Sequence, residues 1–251
     1  MSEAVRVNRE GRVLRVTLNR PEKRNALNLE LCGELVAAFD RGESDPEVGA
    51  ILLDGSGKAF CAGMDLDEVL EPDTGRFSDV HERLFTVGAR IAKPVVAAVQ
   101  GAALAGGTGL VANCHIVFAA EEATFGLTEI RIGLWPFVIF RVVAMAMGER
   151  RATELALTGR KVGAREAREF GLVHHVVPAE ELAARAAETA AALAAYSSTA
   201  IRTGLSFVRQ IRGIGWERAG EIARDMRAQV FASRDFQEGV RAFHERQHRN
   251  M

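Results

Sequence analysis

Lys58-Ala59-Phe60-Cys61-Ala62-Gly63-Met64-Asp65-Leu66 and Gly101-Ala102-Ala103-Leu104-Ala105-Gly106-Gly107-Thr108-Gly109 are two turns of related design. Each follows a short apolar run, 50–53 before the first and 95–99 before the second, of the kind that forms a strand covered on both faces. Glycine in such a turn lets the main chain take conformations closed to other residues and come within bonding distance of a ligand. If 110–114 continue a helix that starts near Gly106, the unpaired N–H groups of its first turn form an anion site. One peptide N–H from each turn could then grip a single oxygen. Neither turn is a phosphate loop: Gly106 is followed by Gly107 rather than by Lys-Ser/Thr, and no G-x-G-x-x-G opens a helix after the first strand.

Outward from these turns the chain reads as an α/β protein. Residues 5–7 and 13–18 alternate apolar and polar around Asn8-Arg9-Glu10-Gly11, the pattern of a hairpin with one half-buried face. Asn28 precedes a helix with Leu31, Leu35, Val36 and Phe39 on one face and is placed to cap it. Further strands are expected at 115–119 and 172–177. From Pro178 the character changes to helical runs at 180–196, 199–211, 217–232 and 235–249. The expected division is a core over 1–195 and a helical region over 196–251 whose amphipathic helices can cover a neighbouring subunit. The apolar window 132–147, broken by Pro136 and Arg141, is too short to cross a bilayer and reads as core. Residues 71–79, with Pro72 and Gly75, read from composition as a mobile flap.

Composition bounds the function. With 251 residues, 48% hydrophobic and 26% charged, the chain can bury a large core without a metal or a disulfide. Lys and Arg (32) nearly balance Asp and Glu (33), so no long-range positive field is available for nucleic acid or an anionic membrane. Cys32, Cys61 and Cys114 are odd in number and in no metal-binding spacing, and no basic head with an apolar core opens the chain; a cytoplasmic location is expected. His244-Glu245-Arg246-Gln247-His248 matches a zinc-protease pattern, but among Arg241, Arg246 and Arg249 it reads as a solvated helix face, and no metal is expected.

Four ordered segments together resemble the enoyl-CoA hydratase/isomerase (crotonase) superfamily. They are 19–28 (Asn-Arg-Pro-Glu-Lys-Arg-Asn-Ala-Leu-Asn), 60–66, 101–107 and 125–133 (Phe-Gly-Leu-Thr-Glu-Ile-Arg-Ile-Gly). The resemblance implies a core spiral of ββα turns, a C-terminal helical region that builds trimers or pairs of trimers, and acyl-CoA thioester substrates, with no cofactor apart from the coenzyme A of the substrate. It implies that the N–H groups of Met64 and Gly106 hold the thioester oxygen as it becomes an enolate. It also implies coenzyme A contacts from Arg24, Ala26 and Leu27, from Ala62, Asp65 and Leu66, from Gly107, and from Phe243 and Arg246 of a neighbouring chain. Asp67 stands where relatives often have Lys.

The acid/base inventory bears on the reaction. The resemblance implies two glutamates in hydratases; here the first position is Gly109 and the second is Glu129. Adding water calls for activating the water and protonating Cα, work that two carboxylates share naturally, whereas one carboxylate suffices to move a proton from C2 to C4 of a 3-enoyl thioester. Glu129, beside Ile130, Ile132, Leu134 and Trp135, is therefore expected as sole acid/base, and the single carboxylate favours isomerisation over hydration. Hydration, or a catalytically silent acyl-CoA-binding role, stays open. His81 is a possible cleft residue.

Overall fold

A computed structural model of the protein describes residues 3–69 and 74–249, the side chains of 69, 74, 76, 77 and 246–249 excepted. β1 (Val5–Glu10) and β2 (Val13–Leu18) form the expected antiparallel hairpin, turned by Gly11 at φ +59°. α1 (Leu29–Ser44) follows, its first turn capped by Asn28, whose Oδ1 accepts from the Leu31 N–H at 3.0 Å. In chain order come β3 (Ala50–Gly55), α2 (Leu66–Val69), α3 (Thr74–Phe85), β4 (Val95–Val99), β5 (Ala102–Leu104), α4 (Gly106–Ala112), β6 (Ile116–Ala120) and β7 (Thr124–Gly126). Then follow α5 (Phe137–Met147), α6 (Glu149–Thr158), β8 (Val162–Gly163), α7 (Ala164–Glu169), β9 (His175–Val177) and α8 (Ala179–Ala195).

Two sheets run through this core. The larger has the order β1-β2-β3-β4-β6-β9, parallel from β2 onward; the smaller has the order β5-β7-β8. Successive turns of the chain thus place one strand in the large sheet, a second short strand in the small one, and then a helix. That is the α/β spiral expected from the sequence. The inner strands β3, β4 and β6 are covered on both faces, which is why they read as continuous apolar runs, whereas β1 at the edge alternates. On one face Leu52, Val96, Ala98 and Phe118 pack with Leu182, Ala186, Ala190 and Ala194 of α8; the other packs against α1 through Leu31, Leu35 and Phe39. Small residues let α8 lie close: a Cβ on Gly49 would come 2.7 Å from the Ala194 carbonyl oxygen.

One side chain locks the loop between β2 and α1. Asn25, fully buried at φ +54°, accepts from the Arg20 N–H at 2.8 Å and offers its amide to the carbonyls of Ser56, Ala59 and Phe60 at 2.9–3.0 Å. Asn tolerates this left-handed backbone better than most residues.

The described chain divides into two compact units, Met1–Ala194 and Ala195–Met251. The second consists of α9 (Ser198–Gln210), α10 (Trp216–Phe231) and α11 (Arg234–Arg249), and leaves Trp216, Phe231, Phe236 and Phe243 exposed. No described helix is long and apolar enough to cross a membrane.

Two expectations change. The window 132–147 is not uniformly core: α5 buries Ile139, Val143 and Met147 on the one face that meets α3, α4 and α6, while Phe137 and Val138 at its start and Ile132 and Leu134 before it are exposed. Residues 74–79 are the first turns of α3 rather than a flap, and 71–73 lie outside the described residues.

Asn25→Ala would strip partners from several largely buried main-chain groups at once, and a lost partner costs about 1–3 kcal/mol per buried group. The expected outcome is a loss of about 3 kcal/mol in urea unfolding at constant m-value. A loss below about 0.5 kcal/mol, as for an ordinary surface change, would show that the loop is held by other means.

Candidate active site

The site is assembled by strand register. Cys61 pairs with Ala103 in a parallel bridge, and Ala103 pairs in turn with Phe125 of β7. Three residues beyond each member of that row stand Met64, Gly106 and Thr128, the last followed at once by Glu129. Three successive turns of the spiral therefore deliver their strand ends to one place.

The pairing also settles which amides are left over. Leu27 donates to the Gly63 carbonyl at 2.8 Å and accepts from the Asp65 N–H at 3.0 Å, so both bonds bypass Met64, whose N–H is turned the other way. Gly106 opens α4, and its N–H, like others of a first helical turn, has no acceptor in the helix. The two turns touch: a Cβ on Gly63 would lie 3.6 Å from the Gly106 nitrogen and 2.8 Å from the Ala105 Cβ.

Several features hold this pair of amides rigid. Ala105 sits at φ +50°, ψ −120°, a conformation that costs a residue with a Cβ about 1–3 kcal/mol and is paid for by the surrounding packing. Gly107 has no alternative, since a Cβ there would come 2.3 Å from the Cys61 carbonyl oxygen. The buried Thr108 hydroxyl accepts from the Gly126 N–H at 3.1 Å and donates to the Ala103 carbonyl at 2.7 Å, tying α4 to both strands beneath it. Arg20 meets Asp65 at 3.0 Å in a mostly buried ion pair and also donates to the Ala26 carbonyl at 2.6 Å. That fixes the far side of the Met64 turn.

Beside the amides lies a cavity of about 230 Å³. Its walls include Ala62, Met64, Ala105, Gly106 and Glu129, together with Trp135, Val138 and Ile139. Glu129 stands at the start of a single 3₁₀ turn after β7, and its Oε2 is buried with no hydrogen-bond partner among the described residues. Burial pushes this carboxyl from about 4.5 up to about 7, so near neutral pH it can both take and give a proton. His81 of α3 is the other titratable side chain among the described lining residues; burial pushes its imidazole down to about 4, against a hydrogen bond to the Leu27 backbone.

At the position where a second carboxylate would stand there is no space. A Cβ on Gly109 would lie 2.5 Å from Cγ2 of Ile139 and 3.1 Å from the Phe85 ring. The absence of the acid is thus built into α5 and α3 as well as into α4.

Of the residues named from sequence, Met64, Gly106, Glu129, Ala62, Leu66 and Trp135 come together at the cavity. Arg24 is exposed, Ala26 partly exposed, and Leu27 fully buried behind the Met64 turn. Asp65 is engaged by Arg20, and Gly107 is packed on Cys61. Phe243 is exposed on the second unit, and the side chain of Arg246 lies outside the described residues. Asp67 pairs at the surface with Lys23 at 3.0 Å. Sequence reasoning missed Phe85, which no local motif marks.

The spiral fold with paired strand-end amides is that of a crotonase-type protein. The model of the family described as Enoyl-CoA hydratase/isomerase matches residues 8–251. Among similar proteins are enoyl-CoA hydratase EchA19 of Mycobacterium tuberculosis, 38% identical over 96% of this chain and 93% of its own, and 2,3-dehydroadipyl-CoA hydratase of Escherichia coli, 33% identical over 97% and 96%. A solved enoyl-CoA hydratase of Mycobacterium smegmatis superposes with a TM-score of 0.92 at 31% identity, covering 98% of this chain and 97% of that one. The chain belongs to the enoyl-CoA hydratase/isomerase family. The names of these relatives say hydratase and lend no support to the preference for isomerisation drawn from the single carboxylate.

The raised Glu129 carboxyl has a consequence for stability. The folded chain binds this proton more tightly than the unfolded one, so the contribution is fully present below about pH 4.5 and is lost as pH rises through about 7. Glu129→Gln removes that loss, and the lowered imidazole of His81, common to both proteins, cancels in the comparison. The variant is expected to gain on the parent from pH 5 to pH 8, by at most about 3 kcal/mol in denaturant unfolding. A difference flat with pH would mean that the carboxylate is solvated.

Proposed function

We propose that the chain is a 2-enoyl-CoA hydratase, adding water syn across C2=C3 of an acyl-CoA thioester. The observation that carries the reading is the buried, unpartnered Glu129 oxygen beside the Met64 and Gly106 amides. In this reading the two N–H groups hold the thioester oxygen, and each such donor is worth about 2.7–4 kcal/mol as negative charge develops there. Ionised Glu129 takes one proton of a water molecule as its oxygen bonds to C3. The C2=C3 electron pair moves into the thioester to give the enolate, and the same carboxyl then returns that proton to C2. One base working on one face of the double bond gives syn addition. The hydratase names of the relatives support this reading over a double-bond shift. Isomerisation of a 3-enoyl-CoA by Glu129 alone keeps one observation in its favour, the filled space at Gly109.

The coenzyme A cradle formed by residues 24–27 and 62–66 stays part of the proposal, as does assembly into trimers or pairs of trimers through the helical unit, whose exposed Trp216, Phe231 and Phe236 suit burial by another copy.

Incubation with crotonyl-CoA and with 3-hexenoyl-CoA separates the readings: 3-hydroxybutanoyl-CoA forms under the first, 2-hexenoyl-CoA under the second. Glu129→Gln is expected to lower kcat about 1,000-fold while binding of a saturated acyl-CoA persists. Unaltered turnover by that variant would remove Glu129 from the mechanism. Because the ionised carboxyl starts the reaction, kcat/KM of the parent chain should rise with pH through a titration near 7, as burial sets it.

A further inference from the structure

The cavity wall changes character from one end to the other. At Gly106 it is closed: the Phe85 ring lies 3.2 Å from the Cβ position of Gly106 and 3.1 Å from that of Gly109, Ile139 lies 2.5 Å from the latter, and both side chains are buried. The same cavity also takes in Ile132, Leu134, Phe137 and Val138, and all four are exposed, Phe137 by 74% and Ile132 by 56%. Single exposed apolar residues need no explanation, but a group of them rimming a cavity marks a ligand-binding surface.

The rim is tied to the catalytic residue through the main chain. Gly133, at φ +76°, ends the 3₁₀ turn that Glu129 begins, and the Leu134 N–H donates back to the Glu129 carbonyl at 3.1 Å. The Phe137 N–H donates to the Trp135 carbonyl at 2.8 Å as α5 opens. Phe137 and Val138 then stand at the mouth while Ile139, next on the same turn, faces inward. The chemistry of the rim is equally plain. Polar side chains among the described lining residues are those of His81, Thr128, Glu129 and Trp135, and neither Lys nor Arg is among them. The pantetheine arm carries amides and the nucleotide carries phosphates, and the four rim side chains offer a partner to neither. They match hydrocarbon.

We propose that this rim receives the far end of the substrate's acyl chain, so that the preferred thioester carries a straight alkyl tail of the octanoyl to decanoyl class, with Phe137 selecting for its length. This rests on the acyl-CoA reading of the site and deepens it. The cavity of about 230 Å³ has room for about eight water-sized groups, each comparable with a methylene, so a butanoyl group leaves much of it unfilled. A longer tail, turned away from the closed end by Phe85 and Ile139, fills the remainder and lies against Val138 and Phe137.

Binding of saturated thioesters tests this apart from the reaction. Dissociation constants of butanoyl-, hexanoyl-, octanoyl- and decanoyl-CoA are measured on the full chain by titration calorimetry, beside hydration of the matching 2-enoyl-CoAs. A methylene fully withdrawn from water gains up to about fourfold in affinity, and one lying against an open rim about twofold. The dissociation constant is therefore expected to fall about 60-fold from butanoyl- to decanoyl-CoA. In turnover the gain should appear in KM, with kcat within about threefold, because a tail remote from the reacting carbons is held equally in ground and transition states. Phe137→Ala is expected to shrink the butanoyl-to-decanoyl ratio about tenfold, and Phe137→Asp to shrink it further. Both changes are at an exposed position and leave the core intact. Affinity that stays level with length in a chain that hydrates crotonyl-CoA overturns the inference and leaves the hydratase reading standing. A Phe137→Ala loss shared equally by butanoyl- and decanoyl-CoA also overturns it, by placing the rim against the coenzyme A part. So does a drop in the mass of Phe137→Asp by light scattering with the length ratio unchanged, which would make the rim a contact between copies of the chain. Absence of binding at every length overturns the acyl-CoA reading and the inference together.

Discussion

The parallel row Cys61–Ala103–Phe125 is the constraint on which the site depends. Parallel pairing fixes which residues stand side by side, and a shift of register by one residue would turn each peptide group to the opposite side. Because the row is held, Met64, Gly106 and Glu129 arrive together although the chain between the first and last builds four strands and several helices. The amides are main-chain groups, so their aim is set by backbone geometry rather than by rotamers. This explains why so much hardware, from the strained Ala105 to the Thr108 hydroxyl and the Arg20–Asp65 pair, is devoted to two turns.

Electrostatics follows from the same packing. The cavity wall is apolar apart from a few groups, and that environment raises a carboxyl and lowers an imidazole within the same cavity. Two titratable groups pushed toward their neutral forms share this cavity without an ion pair, and Glu129, poised at about 7, is part ionised at neutral pH. The ionised fraction is a ready base, and the proton it takes relieves the cost of a buried charge next to donors already oriented toward developing negative charge.

Much of this was legible in the residues. The two glycine turns, the Asn28 cap, the hairpin at Gly11 and the helical tail all rest on local chemistry, and the helices of the second unit begin and end within a residue or two of the periodic pattern. Glu129 was visible because its neighbours form a local segment. The far wall was not. Phe85 reaches the cavity from a helix remote in sequence, and an apolar side chain facing a site looks in the sequence like one facing a core. The same ambiguity made residues 132–147 read as interior when much of their outer face lies open at the cavity mouth. Leu27, Asp65 and Gly107, implied by resemblance as ligand contacts, also serve in this structure as supports of the two turns.

The crowding around Gly109 bears on how the chain could have changed in its history. An acidic side chain introduced there would collide with Ile139 and Phe85, so a one-carboxylate and a two-carboxylate site are not neighbours in sequence space. Passage between them requires that α5 or α3 give up bulk first, through intermediates that carry a void without yet carrying the acid. Such ordering makes the lone carboxylate a state that a single substitution at Gly109 does not readily leave, a form of epistatic entrenchment written into three helices at once.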